Sequence, residues 1–203
     1  MTKPVARSCG RNLRVVTSTN GREGPDDRDR SRVDMVDIVD ELDVVIDTVP
    51  RSQMRAENLR HRGVGIAVLD RHDRLLVHRR ADDKDVWPGY WDVAAGGVVE
   101  AGESYEFAAL RELAEELGIV GVMLTMLGRI LFEDDDVRVI SQCYFVRFDG
   151  EVRCTDGEVA EVRWVSPEEY VTMRTTVRWC PDSAATFPPL LGAAVPAWLI
   201  VQQ

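Results

Sequence analysis

The sequence predicts an α/β domain in which helices cover a mixed β-sheet, and two observations support this fold class. Strand-like apolar runs recur between residues 36 and 165. One strongly amphipathic helix interrupts these runs near the middle of the chain, and another helix follows the last of them. The chain of 203 residues is also long enough to bury an apolar core without disulfides or a structural metal.

The strands are predicted from apolar runs that end at turn signals. Residues 63–70 have the composition of a buried strand, and residues 75–80, beyond the RHDR turn, are its expected hairpin partner. A short helical or turn segment over residues 51–58 leads to His61. The predicted strands cover residues 36–40, 43–50, 63–70, 75–80, 122–133, 137–148 and 159–165.

Two helices carry recognisable start and stop residues. The first is predicted over residues 104–117, because Ser104 can cap its N-terminus and Gly118 can adopt the left-handed conformation that ends a helix. The second begins at Pro167, a residue type that suits the first helical position, and Ser166 is its expected cap.

The first helix has an unusual distribution of charge. At about 100° per residue, Glu112, Glu115 and Glu116 share a face roughly 100° wide. The opposite side is apolar, and we expect it to pack on the sheet while the carboxylates point away from the core. The residues of that apolar stripe are Phe107, Leu110, Ala114 and Leu117.

Carboxylates that crowd together on a helix repel one another, so this cluster requires an explanation. A solvated acidic surface is the common one. Here, however, Gly96 and Gly97 precede the helix and can fold a loop back over the carboxylates, while Glu103 adds a fourth carboxylate at the junction. Because Mg²⁺ takes oxygen ligands from a few carboxylates, waters and phosphates, the pattern favours a metal site.

The same segment resembles the Nudix box. Over the 23 residues from Gly97 to Ile119, all nine fixed positions of that motif are matched. The wider similarity runs from about residue 36 to residue 171, and its segments 48–62, 84–92 and 161–169 resemble the subgroup related to isopentenyl-diphosphate isomerase. The resemblance implies an α/β/α sandwich around a mixed sheet. The matching residues are Gly97, Glu103, Arg111, Glu112, Leu113, Glu115, Glu116, Gly118 and Ile119.

The resemblance also implies an activity, because Nudix enzymes use Mg²⁺ or Mn²⁺ to hydrolyse a nucleoside diphosphate that is linked to another group. By position, Glu112, Glu115 and Glu116 resemble the metal ligands. Arg111 resembles the residue that orients a ligand carboxylate through a charged hydrogen bond. Glu103 resembles the outer carboxylate that helps to hold the metal shell.

Five residues are predicted to contact the substrate. Gly97 resembles the loop glycine of the box, and Gly96 precedes it. Trp87 and Tyr90 could stack on a base or another planar group, although aromatic residues at these positions also suit a core. Arg79 ends a strand together with Arg80, where a guanidinium could meet a phosphate or could serve solubility alone.

The general base that takes a proton from the attacking water is left open. Members of the family place it on the box helix or on a later loop. Glu133 and Glu161 are the candidates beyond the box. A polar hairpin turn is the alternative explanation for Glu133, and an exposed strand position is the alternative for Glu161.

Two rival functions are weighed against hydrolysis. Isopentenyl-diphosphate isomerases carry a catalytic cysteine just before the glycine that opens this box and a histidine just after it, whereas this chain has Gly96 and Val98 at those positions. The second rival is a non-catalytic module that binds a nucleotide-linked ligand. Such modules usually lose carboxylates of the box, and this chain keeps them all. Hydrolysis is therefore predicted, with the identity of the substrate left open.

The amino-acid composition limits the binding partners and the cellular compartment that we expect for the protein. A net charge of −10 argues against general binding of nucleic acids or anionic membranes, since both require a basic face. The expected partner is a small molecule that contains a diphosphate, and a homodimer is left open. Four scattered cysteines without CxxC or zinc-site spacing, and an N-terminus without a signal-peptide pattern, predict a cytoplasmic protein with reduced thiols.

The chain is predicted to have three segments. Residues 1–34 are polar and charged, and we expect them to form a disordered extension. Residues 35–180 form the Nudix-like domain. Residues 181–203 form an apolar tail that contains prolines, is too short to cross a bilayer and departs from the helical C-terminus expected of the subgroup.

Overall fold

The computed structural model describes residues 34–154 and 157–202, so the predicted extension lies outside the described residues except for Asp34. Nine strands, four α-helices and one 3₁₀-helix are present in the described ranges. The strands are β1 (Met35–Val39), β2 (Val45–Pro50), β3 (His61–Leu69), β4 (Leu75–Arg80), β5 (Trp91–Asp92), β6 (Ala95–Val98), β7 (Thr125–Glu133), β8 (Arg138–Arg147) and β9 (Val159–Val165). The helices are α1 (Arg51–Ala56), α2 (Tyr105–Leu117), α3 (Pro167–Met173), α4 (Pro181–Ala194) and the 3₁₀-helix Pro196–Gln202.

The described strands form one mixed sheet, as predicted, with β3 at its centre. Strand β8 runs parallel to β3 along its whole length, from the pair His61–Val139 to the pair Leu69–Arg147. The other edge of β3 is shared in turn by β1, β6 and β4, all antiparallel to it. Strand β7 extends the sheet beyond β8.

The predicted hairpin between β3 and β4 is correct for the turn but wrong for the pairing, because the two strands meet only at Leu69 and Leu75. Strand β8 covers one edge of β3, and β1 and β6 occupy most of the other. Since a strand has only two edges, β4 has no further length of β3 to pair with. It pairs instead with β9 and β5.

Helices cover both faces of the sheet, which confirms the α/β fold class. Side chains alternate between the two faces along β3. Ala67 and Leu69 belong to a core cluster with residues of β4, α3 and α4. Val64, Ile66 and Val68 belong to a second cluster, which α2 covers.

Helix α2 has the predicted ends, but its buried face was predicted correctly only for Leu117, while Leu110 and Ala114 are half-buried. The Ser104 hydroxyl accepts a hydrogen bond from the amide of Phe107, and Gly118 ends the helix with φ 66°. Phe107, however, is 64% exposed, while Glu112 and Glu116 are buried. The small side chains of Ala108 and Ala109, with Leu113, let the helix lie close to the sheet on the side where the two glutamates also lie. Four apolar residues of α2 are fully enclosed: Ala108, Ala109, Leu113 and Leu117.

The C-terminal segment is helical, contrary to the sequence prediction. Helix α4 includes Pro188 and Pro189 in its interior. An interior proline costs a helix about 3 kcal/mol, because it removes a backbone hydrogen bond and crowds the preceding turn. Burial offsets this cost, since Leu191 and Trp198 are fully enclosed in the core. None of the described helices is long and apolar enough to cross a membrane.

Candidate active site

Strand β6, which precedes α2, is packed so closely between β3 and the helix that two of its positions require glycine. A Cβ atom at Gly97 would lie 2.6 Å from the carboxyl carbon of Glu112. A Cβ atom at Gly96 would overlap the carbonyl oxygen of Val64 on the neighbouring strand. The backbone of β6 therefore forms a wall against which the carboxylates of α2 are placed.

Glu116 is the most enclosed carboxylate of the site. Its side chain is 2% exposed, and Oε2 accepts a hydrogen bond of 3.1 Å from the amide of Gly96. Burial raises the pKa of Glu116 well above its usual value, and the nearby charge of Glu112 raises it further. Glu112 lies one helical turn away, and burial raises its pKa as well, although Arg111 opposes that shift.

Arg111 connects the acidic side chains. Its guanidinium donates two hydrogen bonds of 3.0 Å to the two oxygens of Glu103, in the bidentate geometry that makes such pairs strong. Its Nη1 atom donates to Glu112 at 2.8 Å and to Glu115 at 3.1 Å, and Nη2 donates to the carbonyl of Val98 at 3.2 Å. One cation thus fixes the orientation of three carboxylates and ties α2 to the loop.

Glu112 and Glu115 border a cavity of about 440 Å³, whereas Glu116 is buried and is not among the residues that line it. This volume is within the ordinary range for a small-molecule site. The predicted residues Gly96, Gly97, Arg111, Glu112 and Glu115 line it. Seven carboxylates in all line it, and so do four more cationic side chains, which suit contact with the phosphate groups of a ligand. These are Arg51, Arg55, Arg80 and Lys84.

Of the predicted aromatic contacts, the structure brings one to the cavity. Trp87 lines it and packs edge-on against Phe132, with ring centroids 6.3 Å apart. Its backbone φ is 48°, in the left-handed region that bulky residues rarely adopt, so the surrounding loop must hold it there. Tyr90 is not among the lining residues; its ring packs under the guanidinium of Arg178 instead.

Three further predicted residues lie outside the cavity. Arg79 forms an ion pair with Asp82 at 2.8 Å, while its neighbour Arg80 is the arginine of β4 that lines the cavity. Glu133 accepts a hydrogen bond of 2.8 Å from Arg60 near the acidic turn. Glu161 pairs with Arg163 at 2.7 Å along β9.

Several cavity residues were missed in the sequence. Arg51 and Arg55 are four residues apart on α1, a spacing that places both on one side of a helix. Lys84 is one of only two lysines in the chain, yet that rarity did not point to a role. Glu158 forms an ion pair with Lys84, and both line the cavity although 74 residues separate them.

The family model of the NUDIX domain matches residues 59–184 of the chain. The chain belongs to the Nudix family. A relative from Yersinia pestis is 43% identical over 151 residues, covering 74% of this chain and 82% of its own length. YfcD of Escherichia coli K12 is 44% identical over 148 residues, covering 73% of this chain and 81% of its own length. Both are described as uncharacterized Nudix hydrolases, which supports the prediction of an enzyme of this class.

Solved structures agree with the Nudix fold. The Deinococcus radiodurans protein DR0079 superimposes with a TM-score of 0.64 at 23% identity, covering 74% of this chain and 96% of that one. The NUDIX domain of Shewanella oneidensis NrtR, solved with ADP ribose, gives a TM-score of 0.52 at 18% identity, covering 68% of this chain and 94% of that one. At these identities the similarity concerns the fold alone.

The donor set of the Nudix box suits a divalent cation. Within residues 34–154 and 157–202, no group of three or more His, Cys, Asp or Glu side chains is arranged to hold a metal by itself. Mg²⁺, however, usually takes one or two carboxylates and completes its octahedron with water and substrate phosphates. Glu112 and Glu116 form such a pair, and their raised pKa values mark a buried negative charge that a cation would offset. Glu115 is separate from this pair, with its side chain 53% exposed.

Proposed function

We propose that this Nudix domain is a metal-dependent pyrophosphohydrolase that cleaves a diphosphate linkage in a nucleoside diphosphate joined to another group. One observation carries the proposal: two buried carboxylates, Glu112 and Glu116, lie beside the glycines of β6, and Glu112 borders a cavity that several cationic side chains also line. Such a site provides oxygen ligands for a cation and positive charge for phosphates.

Glu112 and Glu116 would hold Mg²⁺ or Mn²⁺, with Glu115 nearer the solvent. When bound, the cation would neutralise charge on the diphosphate and lower the pKa of a water molecule. Arg111 and the amide of Gly96 keep the two carboxylates in fixed orientations. Outer contacts of this kind position ligands before the metal arrives.

The cationic side chains are proposed to bind the phosphates of the substrate. Arg80 is oriented by a hydrogen bond of 3.2 Å to the carbonyl of Val86, and Lys84 is held by its ion pair with Glu158. Trp87 offers an indole ring at the same cavity for a planar group. The substrate would therefore combine negative charge with a flat ring, as a nucleotide does.

We place the general base on Glu158 rather than on Glu133 or Glu161. Glu158 lines the cavity, and its charge contributes to the raised pKa of Glu112, so the two carboxylates are near each other. Glu133 and Glu161 lie outside the cavity in ion pairs with arginines. In this role Glu158 would accept the proton of the water that attacks phosphorus.

The relationship to isopentenyl-diphosphate isomerase is proposed to be one of ancestry without shared chemistry. Gly96 has no side chain at the position of the isomerase cysteine. Cys143 does line the cavity, but it is fully buried, and burial raises the pKa of its thiol to about 12. That thiol stays protonated at neutral pH and is a poor nucleophile.

The experiment is a screen of the purified protein with Mg²⁺ or Mn²⁺ against a panel of diphosphate compounds, in which phosphate release is measured after a coupled phosphatase. We expect one class of compound to be hydrolysed far faster than the rest. Glu116→Gln should lower that rate by about 10³-fold or more, because it removes a charged ligand. Glu106→Gln, at an exposed position of the same helix, is the matched control and should keep the rate.

A binding module is the second candidate, and the same panel separates it from an enzyme. If no compound is hydrolysed while calorimetry shows that one of them binds with the metal, the hydrolase proposal fails. An unchanged rate in the Glu116→Gln variant would remove that residue from the site.

A further inference from the structure

A second pair of carboxylates lines the cavity outside the Nudix box. Asp92 belongs to β5, and Asp182 belongs to the first turn of α4. Backbone hydrogen bonds bring the two elements together. The amide of Trp91 donates to the carbonyl of Arg178 at 2.8 Å, and the amide of Cys180 donates to the carbonyl of Trp91 at 2.8 Å. The start of α4 is therefore fixed beside β5, and Asp182 follows two residues after this contact.

Arg80 lies on the same side of the sheet as Asp92. In the pairing of β4 with β5, His78 is opposite Asp92. Side chains alternate between the faces of a strand, so Arg80, two residues after His78, shares the face of Asp92. Both residues line the cavity. A phosphate bound by Arg80 would therefore lie close to the two carboxylates.

Asp92 is held in place by donors of the protein itself. One of its oxygens accepts a hydrogen bond of 3.1 Å from the amide of Ala94, and the thiol of Cys180 also hydrogen-bonds to its side chain. The residue is 9% exposed. Its negative charge is therefore fixed at the inner end of the pair, where it acts on Asp182.

Asp182 can hold a proton at neutral pH. It is half-buried, and its Oδ1 atom accepts a hydrogen bond of 2.7 Å from the amide of Ser183. Burial raises the pKa of Asp182 to about 7, with the charge of Asp92 as the next largest cause. A protonated carboxyl group accepts through one oxygen and donates through the other. Because Oδ1 accepts, the proton lies on Oδ2.

Charged and titratable groups of several elements face Asp182. The charge of Arg80 opposes the rise in its pKa. Burial raises the pKa values of two neighbouring thiols, Cys143 of β8 and Cys180 before α4, and the charge of Asp182 adds to both shifts. Since these thiols stay protonated at neutral pH, Asp92 and Arg80 are the charged neighbours that influence whether Asp182 holds its proton.

We propose that Asp182 is a phosphate-binding residue that acts as a protonated carboxyl group and donates a hydrogen bond to the phosphate that Arg80 binds. This inference rests on the proposed function and adds a residue to the same site. Once Asp182 loses its proton, it has no donor left and repels the phosphate in an enclosed site. Binding of a diphosphate therefore weakens as the pH rises through the pKa of Asp182.

The first test follows the proton directly in the protein without ligand. The carboxyl carbons of aspartate are labelled with ¹³C and observed by NMR from about pH 5 to pH 9, and the signal lost in Asp182→Asn identifies Asp182. We expect this signal to titrate near pH 7, and at a lower pH in Asp92→Asn because a negative neighbour is removed. A signal that shows no titration in this range, as for an ordinary aspartate with a pKa of about 4, overturns the inference.

The second test measures binding by calorimetry in the presence of Mg²⁺. The probe is methylenediphosphonate, a diphosphate analogue with carbon at the bridging position. Its own ionisation is common to all the proteins and cancels in the ratio of wild-type Kd to Asp182→Asn Kd. We expect this ratio to rise about tenfold between pH 6.5 and pH 8.5, because asparagine keeps an N–H donor that does not titrate.

The matched control is Asp135→Asn, which changes an exposed aspartate of the turn between β7 and β8. The ratio of wild-type Kd to Asp135→Asn Kd should stay constant with pH. A constant ratio for Asp182→Asn as well would overturn the inference, and so would a failure of the probe to bind to the wild-type protein.

The inference can fail separately from the proposed function. If diphosphate compounds are hydrolysed but the ratio for Asp182→Asn does not change with pH, the hydrolase proposal stands and Asp182 is removed from the phosphate site. If no compound is hydrolysed, the hydrolase proposal fails, while the NMR titration and the binding of the probe still decide about Asp182.

Discussion

Gly97 shows how the absence of a side chain positions a catalytic group. Its Cα lies where any Cβ atom would meet the carboxylate of Glu112. In contrast, Gly102 has φ 77° and open space around it, so there the backbone conformation and not a neighbour favours glycine. Substitutions at these two glycines therefore distinguish an effect on catalysis, at Gly97, from an effect on stability, at Gly102.

We expect Gly97→Ala to lower the hydrolytic rate by about 100-fold or more with little change in folding, because Glu112 must move. Gly102→Ala should keep the rate and lower the free energy of unfolding by roughly 1–2 kcal/mol, because a left-handed backbone strains alanine. Urea denaturation and steady-state kinetics on both variants measure these effects. If Gly97→Ala lost stability but kept its rate, while Gly102→Ala lost rate but kept its stability, the placement of Glu112 would be contradicted.

His61 gives a prediction for the pH dependence of stability. Burial lowers its pKa from 6.5 to about 4, so the unfolded chain binds a proton in this pH window that the folded chain does not. The contribution of His61 to stability is therefore complete above pH 6.5 and decreases as the pH falls towards 4. By linkage the decrease is roughly 3 kcal/mol at pH 4.

The measurement compares urea denaturation of wild-type protein and His61→Phe at pH 7 and at pH 4.5. The variant should lose less free energy of unfolding between the two pH values than the wild type does. Equal losses would show that His61 is protonated freely in the folded protein.

At the scale of elements, the ends of α2 could be predicted from the sequence, but most of its buried face could not. Ser104 and Gly118 act through local backbone geometry, which the sequence contains. Which face of the helix is buried depends on the residues of other elements that pack against it. Glu112 and Glu116 are buried because Arg111 and the Gly96 amide satisfy them, and a pattern that assigns all charge to solvent misses this arrangement.

Helix α4 provides the corresponding prediction for the C-terminal segment. Leu191 is fully buried, whereas Leu199 in the 3₁₀-helix is 48% exposed. Leu191→Ala should lower the free energy of unfolding by about 2–5 kcal/mol, because it leaves a cavity in the core. Leu199→Ala is the control and should change it by about 0.5 kcal/mol or less. Similar small effects of both substitutions in urea denaturation would contradict the packing of α4.

At the scale of the whole molecule, the distribution of charge is more informative than its sum. The chain has a net charge of −10, yet Arg51, Arg55, Arg80 and Lys84 all line one cavity. Three different regions supply these cations: α1, the end of β4 and the loop that follows it. Carboxylates line the same cavity in larger number, so these cations offer individual contacts to phosphates and not a net positive field.

The sequence predicted what is local and missed what long-range pairing creates. The strands over residues 75–80 and 159–165 were predicted with the bounds that the structure has. The contact between Lys84 and Glu158 arises from folding of distant segments and has no local signal in the sequence. The same is true of the position of Asp182 in the lining of the cavity. The box itself was recognised because its residues lie within 23 positions.

The central claim is that Glu112 and Glu116 hold the cation with which this chain cleaves diphosphates. The most direct test is the titration of wild-type protein and Glu116→Gln with Mn²⁺, with free Mn²⁺ measured by electron paramagnetic resonance and Glu106→Gln as the control. We predict that Glu116→Gln binds Mn²⁺ at least about tenfold more weakly than the wild type, since a charged ligand is lost, and that the control binds like the wild type. Equal Mn²⁺ affinity in wild type and Glu116→Gln would contradict the assignment of this pair as the metal site.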